Sequence, residues 1–399
     1  MWQTGDPIPS FVARSTSNPR YAFYTAAGRY VVLSFLGSAA HESTRQVLDF
    51  VQQRRALFDD RHLCFYGVSI DPEDERQERL RAMIPGIRYF WDFDRTLSSQ
   101  FGAIVSSPSS ATAYRPFTLV LDPMLRVMAS IPLLPAAAHN EALGELIGRL
   151  PPVEEHAGTA LSAPVLILPR VFEDALCEEL IALYQRYGGV ESGFMREVNG
   201  KTVEVREQSF KRRHDVEFDA RPELAPLREA IQARIGRRVL PEIKRAFQFE
   251  ATRMERYIVA RYDGDSGGFF RPHKDNTTLG TAHRRFACTI NLNTQAYEGG
   301  DLRFPEFGPR TYRAPTGGAV VFSCSLLHEA TPVTRGERYA FLPFFYDEQA
   351  ARQRESNAHS LTGQVFDRAK GEHEFALLDG QSAPAEPAVT GPAGAPADS

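Results

Sequence analysis

Over the first 135 residues, short apolar runs alternate with apolar positions at helical spacing. Tyr30-Val31-Val32-Leu33-Ser34-Phe35 has the nearly unbroken apolar character of a buried strand. Residues 41–58 then place Val47, Leu48, Val51 and Leu57 at roughly helical intervals. A second apolar run, Cys64 to Ile70, precedes a charged helical stretch over 72–83, and Phe117-Thr118-Leu119-Val120-Leu121 reads as a further strand. Strands alternating with helices predict an α/β layer structure with a largely parallel core sheet.

The pattern then changes twice. Residues 136–163 end in a Pro/Ala/Glu-rich stretch and read as a linker. A second unit opens with the strand Val165-Leu166-Ile167-Leu168. Asp174 is a plausible N-cap for a helix burying Leu176, Leu180, Ile181, Leu183 and Tyr184, which Gly188-Gly189 stops. Helical spacing returns over 222–247. From Met254 the chain breaks into eight short strand candidates, at 254–262, 268–273, 285–292, 300–304, 309–313, 318–323, 328–333 and 338–346. Many short strands after a helical lead-in predict a sandwich or jelly-roll barrel with helices packed outside. The expected organisation is therefore 1–135, a linker at 136–163, a second domain at 164–350, an extension at 351–380 and a disordered tail at 381–399.

Composition narrows the classes. The chain has 399 residues, more than one core usually organises. A formal net charge of -4 gives no basic footprint for nucleic acid or an anionic membrane. No apolar run approaches the roughly 18 residues of a membrane span. The opening residues, MWQTGDPIPSF, lack the basic and apolar regions of a signal peptide. The four cysteines, Cys64, Cys177, Cys288 and Cys324, are scattered and include no CxxC, which argues against a disulfide scaffold or structural zinc. A cytoplasmic location is expected.

The densest chemistry lies between Tyr262 and Asn276. His273 and Asp275 are two apart, so on an extended segment both side chains leave the same face. His328, where one apolar strand meets the next, fits as a third ligand from a neighbouring strand. Two imidazoles and a carboxylate on one face of an octahedral ion leave three adjacent positions free, the facial triad of non-haem Fe(II) oxygenases. Arg338, ten residues after His328, offers a guanidinium to clamp a dicarboxylate. Tyr262, on the strand feeding the metal segment, is placed to hydrogen-bond the same co-substrate. For His273 or His328 taken singly, a structural histidine is the plainer reading; the ordered set carries the case.

Over about 165–346 the sequence resembles the Fe(II)/2-oxoglutarate-dependent dioxygenases, specifically the prolyl-4-hydroxylase-like branch. The matching pieces run in order through Ala260-Arg261-Tyr262, Gly267-Gly268-Phe269-Phe270, His273-x-Asp275-Asn276 and Thr289-Ile290-Asn291-Leu292-Asn293. They continue through Gly299-Gly300-Asp301-Leu302, Gly317-Gly318-Ala319-Val320-Val321-Phe322 and His328 to Arg338. The resemblance implies a double-stranded β-helix with His273, Asp275 and His328 as iron ligands, Arg338 on the distal carboxylate of 2-oxoglutarate and Tyr262 assisting. It implies hydroxylation of an unactivated C–H with release of succinate and CO2, using O2, with ascorbate a candidate reductant. An amino acid, a peptide or a small molecule is the expected substrate class. Halide-inserting relatives lose the carboxylate ligand, whereas Asp275 is present; nucleic-acid demethylase relatives carry a second Arg where Phe344 stands.

The N-terminal third resembles peroxiredoxin/thioredoxin-like domains, through Gly5-Asp6-Pro7-Ile8-Pro9-Ser10-Phe11, Val31–Phe35, Gly67-Val68-Ser69-Ile70-Asp71 and Arg115-Pro116-Phe117 to Asp122. Such an enzyme needs a low-pKa cysteine at the helix start after its first strand. Here that segment reads Ser38-Ala39-Ala40-His41 and holds no cysteine. The expectation is a catalytically silent thioredoxin-like fold that docks a partner, presents substrate or mediates oligomerisation. Rival readings are a thiol peroxidase using Cys64 and a non-catalytic binding protein. Gly264-Asp265-Ser266-Gly267-Gly268 spells a serine-protease signature, with Ser266 as nucleophile and His41 as base, but without that family's context. The basic cluster Lys211-Arg212-Arg213-His214 reads first as a solvated face and second as a grip for an acidic substrate.

Overall fold

The alternation of side chains along each N-terminal strand sets up two apolar layers on one sheet. In the computed structural model, which describes residues 2–107, 110–219 and 221–361, five strands lie in the order Ile87–Trp91, Leu63–Ser69, Tyr30–Gly37, Phe117–Leu121, Val127–Pro132. The first three are mutually parallel. Phe117–Leu121 and Val127–Pro132 run antiparallel, so the sheet is mixed rather than largely parallel. The antiparallel pair closes through the short turn at 122–126, a connection that needs no crossover helix. Val32, Phe65 and Val120 face Val47, Phe50 and Val51 of the helix Glu42–Gln53. Val31, Leu33, Phe35 and Tyr66 face the other way, onto Phe11, Phe23 and Phe101.

The expected linker begins as structure. Ala136–Gly148 is a helix, and its Ala136 and Leu143 are buried in the same layer as Phe50. Ala and Leu are strong helix formers, and the Ala-rich composition that suggested a linker served a packed helix instead. The N-terminal unit therefore extends to about residue 150, which shortens the expected 136–163 linker from its N-terminal side.

The second unit is two opposed antiparallel sheets. The larger runs Leu166–Leu168, Ala319–Ser323, Phe286–Asn291, Val333–Phe341, Ile258–Asp263, His214–Glu217, Val190–Glu191. The smaller runs Lys211–Arg212, Phe269–His273, His328–Ala330, Leu302–Arg303, Thr311–Tyr312. Outward residues of the larger sheet, Val259, Ile290, Val321, Tyr339 and Phe341, bury against the helices Asp174–Tyr187, Ala225–Arg238 and Leu240–Phe247. Inward residues, Ala260, Tyr262, Val320 and Phe322, meet the smaller sheet. Helices thus cover one face of a barrel-like sandwich whose interior stays free for a site. The helix at Asp174 is capped by the backbone of Glu173, with no side-chain cap hydrogen bond, rather than by Asp174.

Sequence patterning missed the hairpin Phe194–Val198/Lys201–Val205, turned by Asn199-Gly200. The expected disordered tail at 381–399, and the 351–380 extension beyond Leu361, lie outside the described residues; Glu348–Asn357 is a helix. Among the described residues no helix is long and apolar enough to cross a membrane.

Candidate active site

Strand pairing brings the three candidate ligands together. His273 and His328 are direct partners across the strands Phe269–His273 and His328–Ala330. Asp275 follows as the strand ends, held where its backbone N–H donates to Cys324 O at 3.0 Å. His273 Nε2 lies 3.6 Å from Asp275 Oδ1, and His328 Nε2 lies 3.3 Å from Asp275 Oδ2. One ligand atom from each of the three falls within 4.8 Å of the others.

The tautomers follow from the partners. His273 Nδ1 sits 2.7 Å from Arg271 O, and His328 Nδ1 sits 3.0 Å from Leu326 O. A carbonyl only accepts, so each Nδ1 carries the proton and each Nε2 presents a lone pair toward Asp275. Phe270 stacks on His273 with centroids 3.5 Å apart, and Phe322 meets His328 edge-on at 4.6 Å. Burial, opposed by the Asp275 charge, pushes His328 down to about 4, so it is neutral near pH 7. Burial also works to raise the Asp275 carboxyl, but His328, His273 and Arg284 outweigh it and hold it well below the usual carboxylate range. Two imidazoles and an ionised carboxylate form the donor set of a divalent first-row ion with open positions.

Arg338 lies on the inner face of Val333–Phe341, directly opposite Tyr262. It is 2% exposed, and its Nε and Nη1 have no hydrogen-bond partner. A buried guanidinium with unmet donors is costly unless an anion completes it, so Arg338 fits the carboxylate of a dicarboxylate co-substrate. The room for it comes from Gly300, at φ +67°, where a Cβ would stand 3.0 Å from Arg338 Cδ. Tyr262 presents its ring to the guanidinium at 4.9 Å. Its hydroxyl accepts from Arg213 Nη1 at 3.4 Å.

The basic cluster divides. Arg212 and His214 are exposed, whereas Lys211 and Arg213 are buried. Arg213 makes a two-pronged pair with Asp215, at 2.7 and 2.6 Å. Lys211 donates to Ser192 Oγ at 2.7 Å and Gly193 O at 2.5 Å, and burial together with the Arg213 charge pushes its pKa well below the ordinary value. The solvated-face reading therefore holds for only half the cluster.

A cavity of about 870 Å³ opens onto His273, Asp275, His328 and Arg338. Sequence reasoning missed Arg256, Arg284 and the N-terminal domain's Tyr24, which also line it; they converge only through tertiary contacts and carry no local signal. The protease pair is not assembled: Ser266 Oγ donates to Asp263 O at 3.2 Å within its turn, and His41 precedes a helix of the other domain.

Cys64 is fully buried in the N-terminal sheet, and burial raises its thiol pKa. Between the strand Tyr30–Gly37 and the helix Glu42–Gln53, where no cysteine stands, Ser38 Oγ donates to Asp71 Oδ2 at 2.6 Å and Ala39 N–H donates to Asp74 Oδ2 at 2.8 Å.

Comparison with known proteins agrees with this division. Residues 257–346 match the 2OG-Fe(II) oxygenase superfamily, and residues 4–130 match the AhpC/TSA family. A PKHD-type hydroxylase of Verminephrobacter eiseniae (strain EF01-2) is 31% identical over 134 residues, covering 31% of this chain and 58% of that protein. A PKHD-type hydroxylase of Stenotrophomonas maltophilia (strain R551-3) is 30% identical over 140 residues, covering 33% and 60%. The chain spans about three-fifths or less of the length of these curated relatives. Among solved structures, a viral collagen prolyl hydroxylase from Paramecium bursaria Chlorella virus-1 shares 16% identity over 46% of this chain and 96% of that one, with a TM-score of 0.34. A peroxidoxin from Mycobacterium tuberculosis shares 17% over 38% and 99%, with a TM-score of 0.33. The chain thus carries a match to the AhpC/TSA family over residues 4–130 and a match to the 2OG-Fe(II) oxygenase superfamily over residues 257–346.

Proposed function

We propose that this protein is an Fe(II)- and 2-oxoglutarate-dependent dioxygenase that hydroxylates an unactivated C–H of an amino-acid, peptidyl or related small-molecule substrate, releasing succinate and CO2. One observation carries the reading: two Nε2 lone pairs, one carboxylate and a buried, unmet guanidinium face the same cavity. The hydroxylase names of the curated relatives support the reaction class.

His273, Asp275 and His328 hold the iron, and the carbonyls of Arg271 and Leu326 fix the ring orientations. Arg338 pairs with the distal carboxylate of 2-oxoglutarate, and the Tyr262 ring packs beside it. When bound, iron and co-substrate supply the oxidising power, while the chain supplies position and exclusion of water. Phe270 and Phe322 do the latter by covering the imidazole faces.

The test is purified full-length protein with Fe(II), 2-oxoglutarate and O2, with and without ascorbate as the reductant that keeps iron ferrous. Succinate release above a metal-free control is expected. Failure to bind either iron or 2-oxoglutarate would sink the reading. A binding protein without catalysis would hold both and release no succinate.

A further inference from the structure

The cavity at the metal ligands is not built by the barrel alone. Arg20, Tyr21, Tyr24 and Thr25 of the N-terminal domain line it together with His273 and Asp275. The two domains touch closely here. Lys274 Nζ lies 5.2 Å from the Tyr24 ring centroid, and a Cβ on Gly28 would come within 2.7 Å of Pro305 Cβ.

The wall so formed is strongly cationic. Nine Arg and two Lys line the cavity against two Asp and one Glu. Asp60 is already held by Arg88 at 2.7 and 2.6 Å, and Asp275 lies between the two histidines. A divalent ion and a dianionic co-substrate cancel each other, so loading the site leaves the surplus in place.

Most of the deep cations have internal partners: Arg213 has Asp215, and Arg284 has Glu255. Arg256 makes no hydrogen bond or close ion pair among the described residues, and Glu217 and Asp215 attract it only from farther away. The Phe344 ring lies beside it, with its centroid 5.5 Å from the guanidinium carbon. The Arg256 backbone stands at φ +71°, uncommon for a long side chain, and the residue lines the cavity wall. Burial and the like charges of Arg284 and Arg213 outweigh the attraction of Glu217 and Asp215 and lower its pKa from the ordinary value. At the same cavity Arg20 and Arg271 are exposed and have no carboxylate partner among the described residues, an arrangement that gathers anions from solution.

We propose that this shared cavity receives an anionic substrate, a carboxylate- or phosphate-bearing molecule whose charge docks on Arg256, with Tyr24 of the N-terminal domain as the facing wall. The proposal rests on reading the neighbouring triad as an oxygenase centre. It gives the thioredoxin-like domain a task that needs no thiol: it determines what enters.

The experiment uses full-length protein saturated with Mn(II) and 2-oxoglutarate, and measures by calorimetry and ligand-observed NMR two matched pairs. These are O-phosphoserine against serine, and N-acetylaspartate against N-acetylasparagine, so the phosphate and carboxylate sources are read separately. The anionic member of at least one pair is expected to bind about tenfold or more tightly than its neutral mate. Arg256→Gln and Tyr24→Ala should each reduce that preference, and Arg256→Lys should restore part of it, with thermal melts verifying that every variant folds. Equal affinity within both pairs, absence of binding, or a preference unmoved by Arg256→Gln overturns the proposal. Mn(II) and 2-oxoglutarate titrations on the same samples score the oxygenase reading independently. Their failure with the anion preference intact removes that reading alone, and the reverse removes only the anion site.

Discussion

Tyr262 and Arg338 stand directly opposite each other on adjacent antiparallel strands, with the guanidinium carbon 4.9 Å from the ring centroid. In the proposed oxygenase, this pairing would fix one end of the co-substrate's place by backbone register. Removing the cation leaves a dianion to be bound without its partner, a loss of about 3–5 kcal/mol. Arg338→Ala is therefore expected to raise the 2-oxoglutarate KM about a hundredfold or more, measured by succinate release. Arg338→Lys keeps the charge and loses the fork, so its KM should fall between the two.

Each ligand substitution, His273→Ala, Asp275→Ala or His328→Ala, should remove metal binding. Changes in residues that only orient ligands cost about 10- to 100-fold in affinity, and loss of a ligand itself should exceed that. Mn(II) binding followed by electron paramagnetic resonance checks this without any turnover. Retained affinity in Asp275→Ala would contradict the assignment.

Gly300 gives a test at one remove. Its φ is +67°, and an added Cβ would sit 2.8 Å from Val333 Cγ2 and 3.0 Å from Arg338 Cδ. Gly300→Ala should lower stability by about 1–3 kcal/mol and raise the 2-oxoglutarate KM while Mn(II) binding persists. A KM unchanged from wild type would show that Arg338 does not depend on this space.

A pH prediction follows from Glu173, at the start of the first barrel-domain helix. Side-chain hydrogen bonds from Arg238, then Arg234, outweigh burial and lower its pKa from 4.5 to about 2. A depressed folded pKa contributes stability above the unfolded value and loses it as pH falls through the folded one. Because the carboxylate is nearly half exposed, the contribution is about 1 kcal/mol or less. Glu173→Gln should therefore melt lower than wild type at pH 7, and the gap should narrow as pH drops from about 4.5 toward 2.

Cys64 should prove inert. Its side chain has no exposure, its Sγ faces Tyr30 O at 3.6 Å, and burial raises its pKa. Any hydrogen-peroxide consumption by the protein should be unchanged in Cys64→Ala, and a thiol reagent should not label Cys64 in the native state. Turnover lost in that variant would revive the peroxidase reading.

What the sequence made legible had a local cause. His273 and Asp275 announced themselves because period-two alternation puts both on one face, and Arg338 because it opens the buried part of an apolar strand. The helix Ala136–Gly148 was hidden by its own composition, since Ala, Pro and Gly serve linkers as well as packed helices. The Phe194–Val205 hairpin did carry a signal: Asn199-Gly200, at φ +50° and +72°, is a tight-turn dipeptide between alternating strands. Arg256 and Tyr24 carried none. They are 232 residues apart, and only the docking of one domain on the other places both at the cavity.

The seam where Gly28 abuts Pro305 therefore does more than join two halves. Removing the N-terminal domain would take Arg20, Tyr21, Tyr24 and Thr25 out of the wall and leave that side of the cavity open to water. The candidate ligands belong to the barrel, but part of the wall around them is on loan from the neighbouring fold.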